Sequence, residues 1–176
     1  ANAMAAYLVV TAVDVGFSPA GAGLMLSLGS ASGFASRLVV GLAADRWRPD
    51  LLLTASVMIT LGALGQGLFA TGGSAVFVVA LFLGFAAGWA WSGVFNLAVA
   101  DRFPDRVASA TSVTQIGVYV GSATMPPFFG WCAQTFDLAT AWTAMGVAML
   151  SAVGLLVAVR RRKPTDVARP VSHSRG

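Results

Sequence analysis

Arg37-Leu-Val-Val-Gly41-Leu-Ala-Ala-Asp45-Arg46-Trp47-Arg48-Pro49-Asp50 decides the fold. It lies between two long apolar segments and is one of three places where charge gathers. Apolar, charged and apolar again is the pattern of a chain that leaves a membrane, turns in water and goes back in. Charge at mid-bilayer is costly, so Asp45 and Arg46 are expected to stop the preceding helix at the interface. Pro49 and Asp50 then start the next one. Asp50 is a natural N-cap, accepting a hydrogen bond from an otherwise free backbone N–H.

The composition outside this stretch points the same way. Apolar residues make up 57% of the 176 and charged residues 10%, against roughly 45–50% and about 25% in soluble domains. No soluble fold hides so many long apolar runs. The net charge of +4 does not point to nucleic acid. Its excess sits in Arg160, Arg161, Arg162 and Lys163, beside an apolar segment, where basic residues anchor to anionic lipid heads. Cys132 is the only cysteine, which excludes an intrachain disulfide. Residue 1 falls inside an apolar stretch with no basic residues before it, unlike a cleavable signal. The chain therefore reads as a fragment with its first helix cut short.

A spanning helix needs about 20 mostly apolar residues. The expected segments are about 1–13, 20–44, 51–71, 75–100, 109–135 and 139–159. Ser18 caps the second, with Pro19 in its first turn, and Asp137 caps the sixth. Residues 160–176 form a basic tail, expected to be disordered. The loops near 45, 101 and 160 hold all the loop arginines, and those near 16, 73 and 137 hold neither Lys nor Arg. This strict alternation puts the arginine-bearing loops and the C-terminus in the cytoplasm.

Three glycine pairs, Gly29-x-x-x-Gly33, Gly84-x-x-x-Gly88 and Gly117-x-x-x-Gly121, let helix backbones approach closely. They serve plain packing or a face on which helices rock. Pro126 and Pro127 kink segment five, as a static bend or a gating one. Arg37 is the one basic residue inside a span, roughly 12 Å from its cytoplasmic end. It snorkels to the interface, braces the charged loop or meets a solute; bracing is favoured here. No Glu occurs, and His173 lies in the tail, so no carboxylate or histidine stands at mid-membrane for a proton relay.

At about 100° per residue, Phe85, Trp89, Ser92 and Asn96 share one stripe of segment four, and Trp91 points away. Ser112, Gln115, Tyr119 and Ser122 share a stripe of segment five. The two stripes match in depth. They line one aqueous cavity or hydrogen-bond to each other in a closed bundle. The cavity reading makes Trp89, Ser92, Asn96, Gln115, Tyr119 and Ser122 the candidate solute-binding residues.

Gly41-x-x-x-Asp45-Arg46 resembles the signature loop of major facilitator superfamily transporters, Gly-x-x-x-Asp-(Arg/Lys)-x-Gly-(Arg/Lys)-(Arg/Lys). In that family the loop joins the second and third helices of each six-helix half, and here it joins the second and third apolar segments. Arg48 stands where the pattern has Gly, and Pro49 and Asp50 where it has basic residues. Such decay is usual in the second half of the family's proteins, so the resemblance implies a C-terminal half. Gly117 to Gly130, with Pro126-Pro127, is similar to the family's Gly/Pro-rich eleventh helix. Gly88-Trp-Ala-Trp-Ser-Gly93-Val-Phe-Asn96 and Thr114-Gln-Ile-Gly-Val-Tyr119 resemble the cyanate-permease-like bacterial branch.

The expected fold is thus an all-α membrane protein, a six-helix half-bundle of the transporter fold with helix one truncated. The resemblance implies secondary transport of a small organic solute by alternating access. It also implies a gating loop of Arg37, Gly41, Asp45 and Arg46, and a cavity lined by the fourth and fifth helices. The expected partners are the lipid bilayer, the solute and a missing N-terminal half or second copy, with no nucleic acid, cofactor or metal. The expected location is the bacterial inner membrane. An intramembrane enzyme would need a nucleophile and base or a metal cluster, which one Cys, one tail His and no Glu do not supply. A non-transporting membrane scaffold is the alternative, and it would tolerate apolar replacement of both stripes.

The arginine alternation makes topology testable. In a Cys132→Ser background, Arg48→Cys and Pro104→Cys should label only from the cytoplasmic side, and Gly73→Cys only from outside. Labelling of all three from one side would end the six-span topology.

Overall fold

Short polar side chains set where the helices begin. Ser18 Oγ accepts from the Gly21 N–H at 3.1 Å, Asp50 Oδ1 from Leu53 at 3.0 Å and Asp137 Oδ1 from Thr140 at 2.6 Å. Each satisfies one of the first-turn donors that a helix leaves unpaired. The computed structural model describes residues 2–161, and every element among them is helical. The elements are α1 (Asn2–Asp14), α2 (Pro19–Trp47), α3 (Leu51–Phe69) and α4 (Ser74–Phe82), then a π-helical segment (Leu83–Ala87). After them come α5 (Trp91–Arg102), a single 3-10 turn (Pro104–Arg106), α6 (Val107–Thr135) and α7 (Leu138–Arg161). The basic tail from residue 162 lies outside the described residues.

Asp45 and Arg46 do not stop α2. The helix runs on to Trp47 and ends where Arg48 turns left-handed, at φ 44°, its N–H still bonded to the Ala44 carbonyl. Charge marks where lipid ends, but the chain reversal at Arg48 and the missing N–H of Pro49 are what end the helix.

Pro19–Trp47, Leu51–Phe69, Leu138–Ala158 and Ser74–Arg102, taken through its break, are each long and apolar enough to cross a membrane. Two elements fall outside that set. α1 is apolar but has only 13 residues. α6 has 29 residues and no charge, but Ser112, Thr114, Gln115, Ser122 and Thr124 keep its hydropathy lower.

α3 is the hub, touching α4, the π segment, α5 and α7. Its inner stripe, with Ala55, Ile59, Gly62, Ala63 and Gln66, is buried. Its outer stripe of Leu53, Val57, Leu61 and Leu64 is apolar and exposed, as on a helix between core and lipid. At one end an aromatic cluster ties the helices together. Trp142 of α7 is fully buried, with ring centroids 4.7 Å from both Phe69 and Phe129. Its indole N–H donates to Thr11 Oγ1 of α1 at 3.0 Å. Tyr7 stacks on Phe129 at 4.4 Å and donates to the Pro126 carbonyl at 3.3 Å. α6 stays continuous through both prolines; the Tyr7 bond adds a partner for a carbonyl in that stretch.

Segment four is not the straight helix expected over 75–100. The Gly88 N–H reaches five residues back to the Leu83 carbonyl at 3.2 Å, and residues 88–90 form turns before α5 starts. The cause is close packing on α3. A Cβ on Gly62 would collide with the Gly88 Cα, and one on Gly65 would lie 2.8 Å from the Gly84 nitrogen. Two backbones this close leave no room for side chains, which is the use of glycine here. On the other side, Phe85 fills the groove at Gly29 of α2, where a Cβ would lie 2.8 Å from its ring. Two of the three glycine pairs are therefore closed contacts. Around Gly117 and Gly121 nothing lies within 4 Å.

Asp50 pairs with Arg160 at the end of α7, Oδ2 to Nε at 2.8 Å, with both side chains about two-fifths exposed, 42% and 43%. The Leu53 N–H holds the Asp50 carboxyl below the usual carboxylate range; desolvation opposes it, and Arg160 adds to the lowering.

Gly88→Val should lower the unfolding free energy by about 1–3 kcal/mol through overpacking. Gly117→Ala should stay within about 0.5 kcal/mol. Equal effects in a detergent unfolding titration would deny the α3 contact. For Asp50, a lowered folded-state pKa means stabilisation present above the ordinary carboxylate value and lost as pH falls through the lowered one. Asp50→Asn keeps a good cap and loses only the exposed pair, so it should cost below about 1 kcal/mol. Asp50→Ala loses the cap as well and should cost about 0.5–2 kcal/mol. Melting curves at neutral and acid pH check both, and Asp50→Asn should remove the Asp50 share of the acid dependence while the share of Asp137, whose carboxyl is also held low by Thr140, remains.

Candidate functional site

The break in segment four disturbs the usual four-residue bonding of its carbonyls, and α2 supplies donors to two of them. Ser36 Oγ donates to the Ala86 carbonyl. Arg37 Nη2 donates to the Trp89 carbonyl at 3.1 Å, and Ser92 Oγ donates to the same oxygen at 3.4 Å. The Arg37 guanidinium also lies 5.6 Å from the Trp89 ring centroid, within cation–π range. Trp89 itself sits edge-on to Phe85 at 5.2 Å and would meet a Cβ on Gly33 at 3.6 Å. Arg37 thus braces the helix break rather than the charged loop.

Just beyond the break, a cavity of about 380 Å³ opens between α2 and α5. Its α2 wall is Arg37, Val40, Gly41 and Ala44, and its α5 wall includes Ser92, Val94, Asn96 and Leu97. The walls are mostly apolar, with one guanidinium, one hydroxyl and one amide. Such a mixture suits a small solute held by a few oriented polar groups. Gly41 leaves the α2 side open, since nothing lies within 4 Å of its missing Cβ.

Among the sequence-derived candidates, the structure joins Ser92 and Asn96 to Arg37 and Gly41 in this cavity; Trp89 does not line it and meets Arg37 through its carbonyl and ring. Gln115, Tyr119 and Ser122 stand on α6 and do not line it. Gln115 and Ser122 are half-buried and Tyr119 is 69% exposed. Asp45 and Arg46 are exposed at the end of α2, outside the lining. Trp91 faces elsewhere, resting on Phe95 at 5.7 Å and against the cluster of Ala55, Met58 and Val94.

The partner wall is what the two-stripe reading missed. Ser92 and Asn96 line the cavity together with α2. A signal for this was present. Gly29, Gly33, Arg37, Gly41 and Ala44 follow one another at helical spacing along one face of α2. The small residues form a groove, and Arg37 stands in the middle of it.

A family model described as Major Facilitator Superfamily matches residues 1–175. No curated protein and no solved structure matches the chain. The match covers nearly the whole sequence, and the fold beneath it is an all-helical bundle with four helices apolar and long enough to span a bilayer. The chain is therefore an integral membrane protein of the transporter type and belongs to the major facilitator superfamily.

Proposed function

We propose that the chain is the C-terminal half of a two-half secondary transporter that moves a small organic solute by alternating access. Within the superfamily we place it with the cyanate-permease-like branch, on the phrases around Trp89–Asn96 and Thr114–Tyr119. The observation that carries the reading is the cavity between α2 and α5, set against a broken helix. Transporter sites are typically built where a helix is discontinuous and its backbone lines a cavity. Trp89, Ser92 and Asn96 hold the solute from the α5 side. Gln115, Tyr119 and Ser122 of α6 complete the site when the other half is present. Gly41, Asp45 and Arg46 gate it from the cytoplasmic end. The arginine-bearing loops face the cytoplasm, and the membrane is the bacterial inner membrane.

Uptake of labelled solute by the complete transporter tests this reading. Asn96→Ala, Gln115→Ala and Tyr119→Phe should each raise the half-saturation constant roughly fivefold or more, the value of about one hydrogen bond near 1 kcal/mol. Trp91→Phe, on a residue packed toward α3, should leave it nearly unchanged. Wild-type constants in all three variants would favour a membrane scaffold instead.

A further inference from the structure

We infer that the middle of α6 carries a site for a monovalent alkali cation, formed by the Ser122 and Ala123 backbone carbonyls that Pro126 and Pro127 leave without donors. A regular helix gives each carbonyl the N–H four residues on, and proline has none. Pro126 therefore frees the Ser122 carbonyl, and Pro127 frees that of Ala123. Two prolines in a row go further. The Leu83 carbonyl in segment four is served by the N–H five residues on. For Ser122 that position is Pro127, so this bond is closed to it as well. Two neighbouring oxygens of one turn are left seeking a positive partner.

Their depth makes this costly. α3, segment four and α7 can each cross the membrane. The Asp50–Arg160 pair puts the end of α7 beside the start of α3, on the side where segment four ends. α6 runs from the end of segment four to the start of α7, so it crosses the whole bundle, and Ser122 lies at the middle of its 29 residues. Lipid offers no donor at that depth. The hydroxyls near this stretch are spent elsewhere: Tyr7 donates to the Pro126 carbonyl, and Thr124 to that of Val120 at 2.8 Å. Gly117 and Gly121 leave the preceding turns open, with nothing within 4 Å, and Ala123 and Pro127 are exposed. Carbonyl oxygens can replace the hydration shell of an alkali ion, and in transporters freed carbonyls near the midplane coordinate coupling ions. α6 bears no charged side chain, so the ion meets neutral oxygens alone. That set favours a single charge over a divalent ion, which draws on carboxylates.

Binding of radioactive sodium to the protein in nanodiscs of phosphatidylcholine, a lipid without net charge, tests this. Empty nanodiscs give the baseline, and choline holds the ionic strength constant. Saturable binding above that baseline is expected, displaced by unlabelled sodium. Pro126→Ala and Pro127→Ala each return one backbone N–H, and each should weaken binding roughly fivefold or more. Together they should abolish it. Thr124→Ala, on a neighbouring hydroxyl already spent, should leave it unchanged. Alanine is the best helix former, so these variants favour the fold; where the double variant does not assemble, the native protein and the single variants decide. Absence of saturable binding overturns the inference, as does binding that survives the double variant or disappears in Thr124→Ala. None of these measurements involves the α2–α5 cavity. Their failure leaves the transport reading standing, and wild-type uptake constants in Asn96→Ala, Gln115→Ala and Tyr119→Phe would leave the cation site standing.

Discussion

Inside a bilayer no water is available to a backbone carbonyl, so any interruption of a helix must find its donors within the protein. The interruption at residues 83–90 is the point on which this bundle depends. Ser36 and Arg37 of α2 reach two of its carbonyls, Ala86 and Trp89, and Ser92 shares the second. These bonds fix α2 and the broken helix in register. They do so at the level where Phe85 and Trp89 lie along the Gly29 and Gly33 groove. With the break held there, α5 leaves at a new position, and the space between it and the C-terminal half of α2 becomes the cavity.

The other face of the broken helix is held by α3. The approach of Gly84 and Gly88 to Gly65 and Gly62 is between backbones, so it depends on dispersion and shape rather than on polar groups. The interruption therefore has a rigid apolar side toward α3 and a polar side toward α2. This asymmetry runs through the whole bundle. α3 buries one stripe and turns Leu53, Val57, Leu61 and Leu64 outward. α2 and α6 bury the least and carry many of the exposed polar groups, with Tyr119 and the open Gly117–Gly121 stretch among them. A bundle with one apolar rim and one mixed rim suits lipid on the first and water or protein on the second.

Much of the fold was legible because its signals are local. The caps at Ser18, Asp50 and Asp137 each act within three residues of themselves, and a charged loop between apolar runs is a short-range pattern. The break in segment four was not legible, because its cause is spread over three helices. Gly84 and Gly88 alone read as a packing pair on a straight helix, and only Gly62 and Gly65 opposite them make the close approach. The error then passed to the site. Helical spacing puts Ser92 and Asn96 on one face, and the cavity they line has α2 as its other wall. For Arg37 the family resemblance implies bracing of the charged loop. Its actual partner, the Trp89 carbonyl, is a backbone group, and no residue type announces a freed carbonyl.

That partner gives Arg37 two duties that draw on the same donors. It supports the interrupted backbone, and it is the charge of the cavity. Ser92 at 3.4 Å is the second donor to that oxygen. A carbonyl left without donors inside a bilayer is costly, so Arg37 ties the position of α2 to that of the broken helix. The closeness of Gly62 to Gly88 limits how far the helix can move toward α3. The direction left open is along α2, where Gly41 bears no side chain and nothing lies within 4 Å.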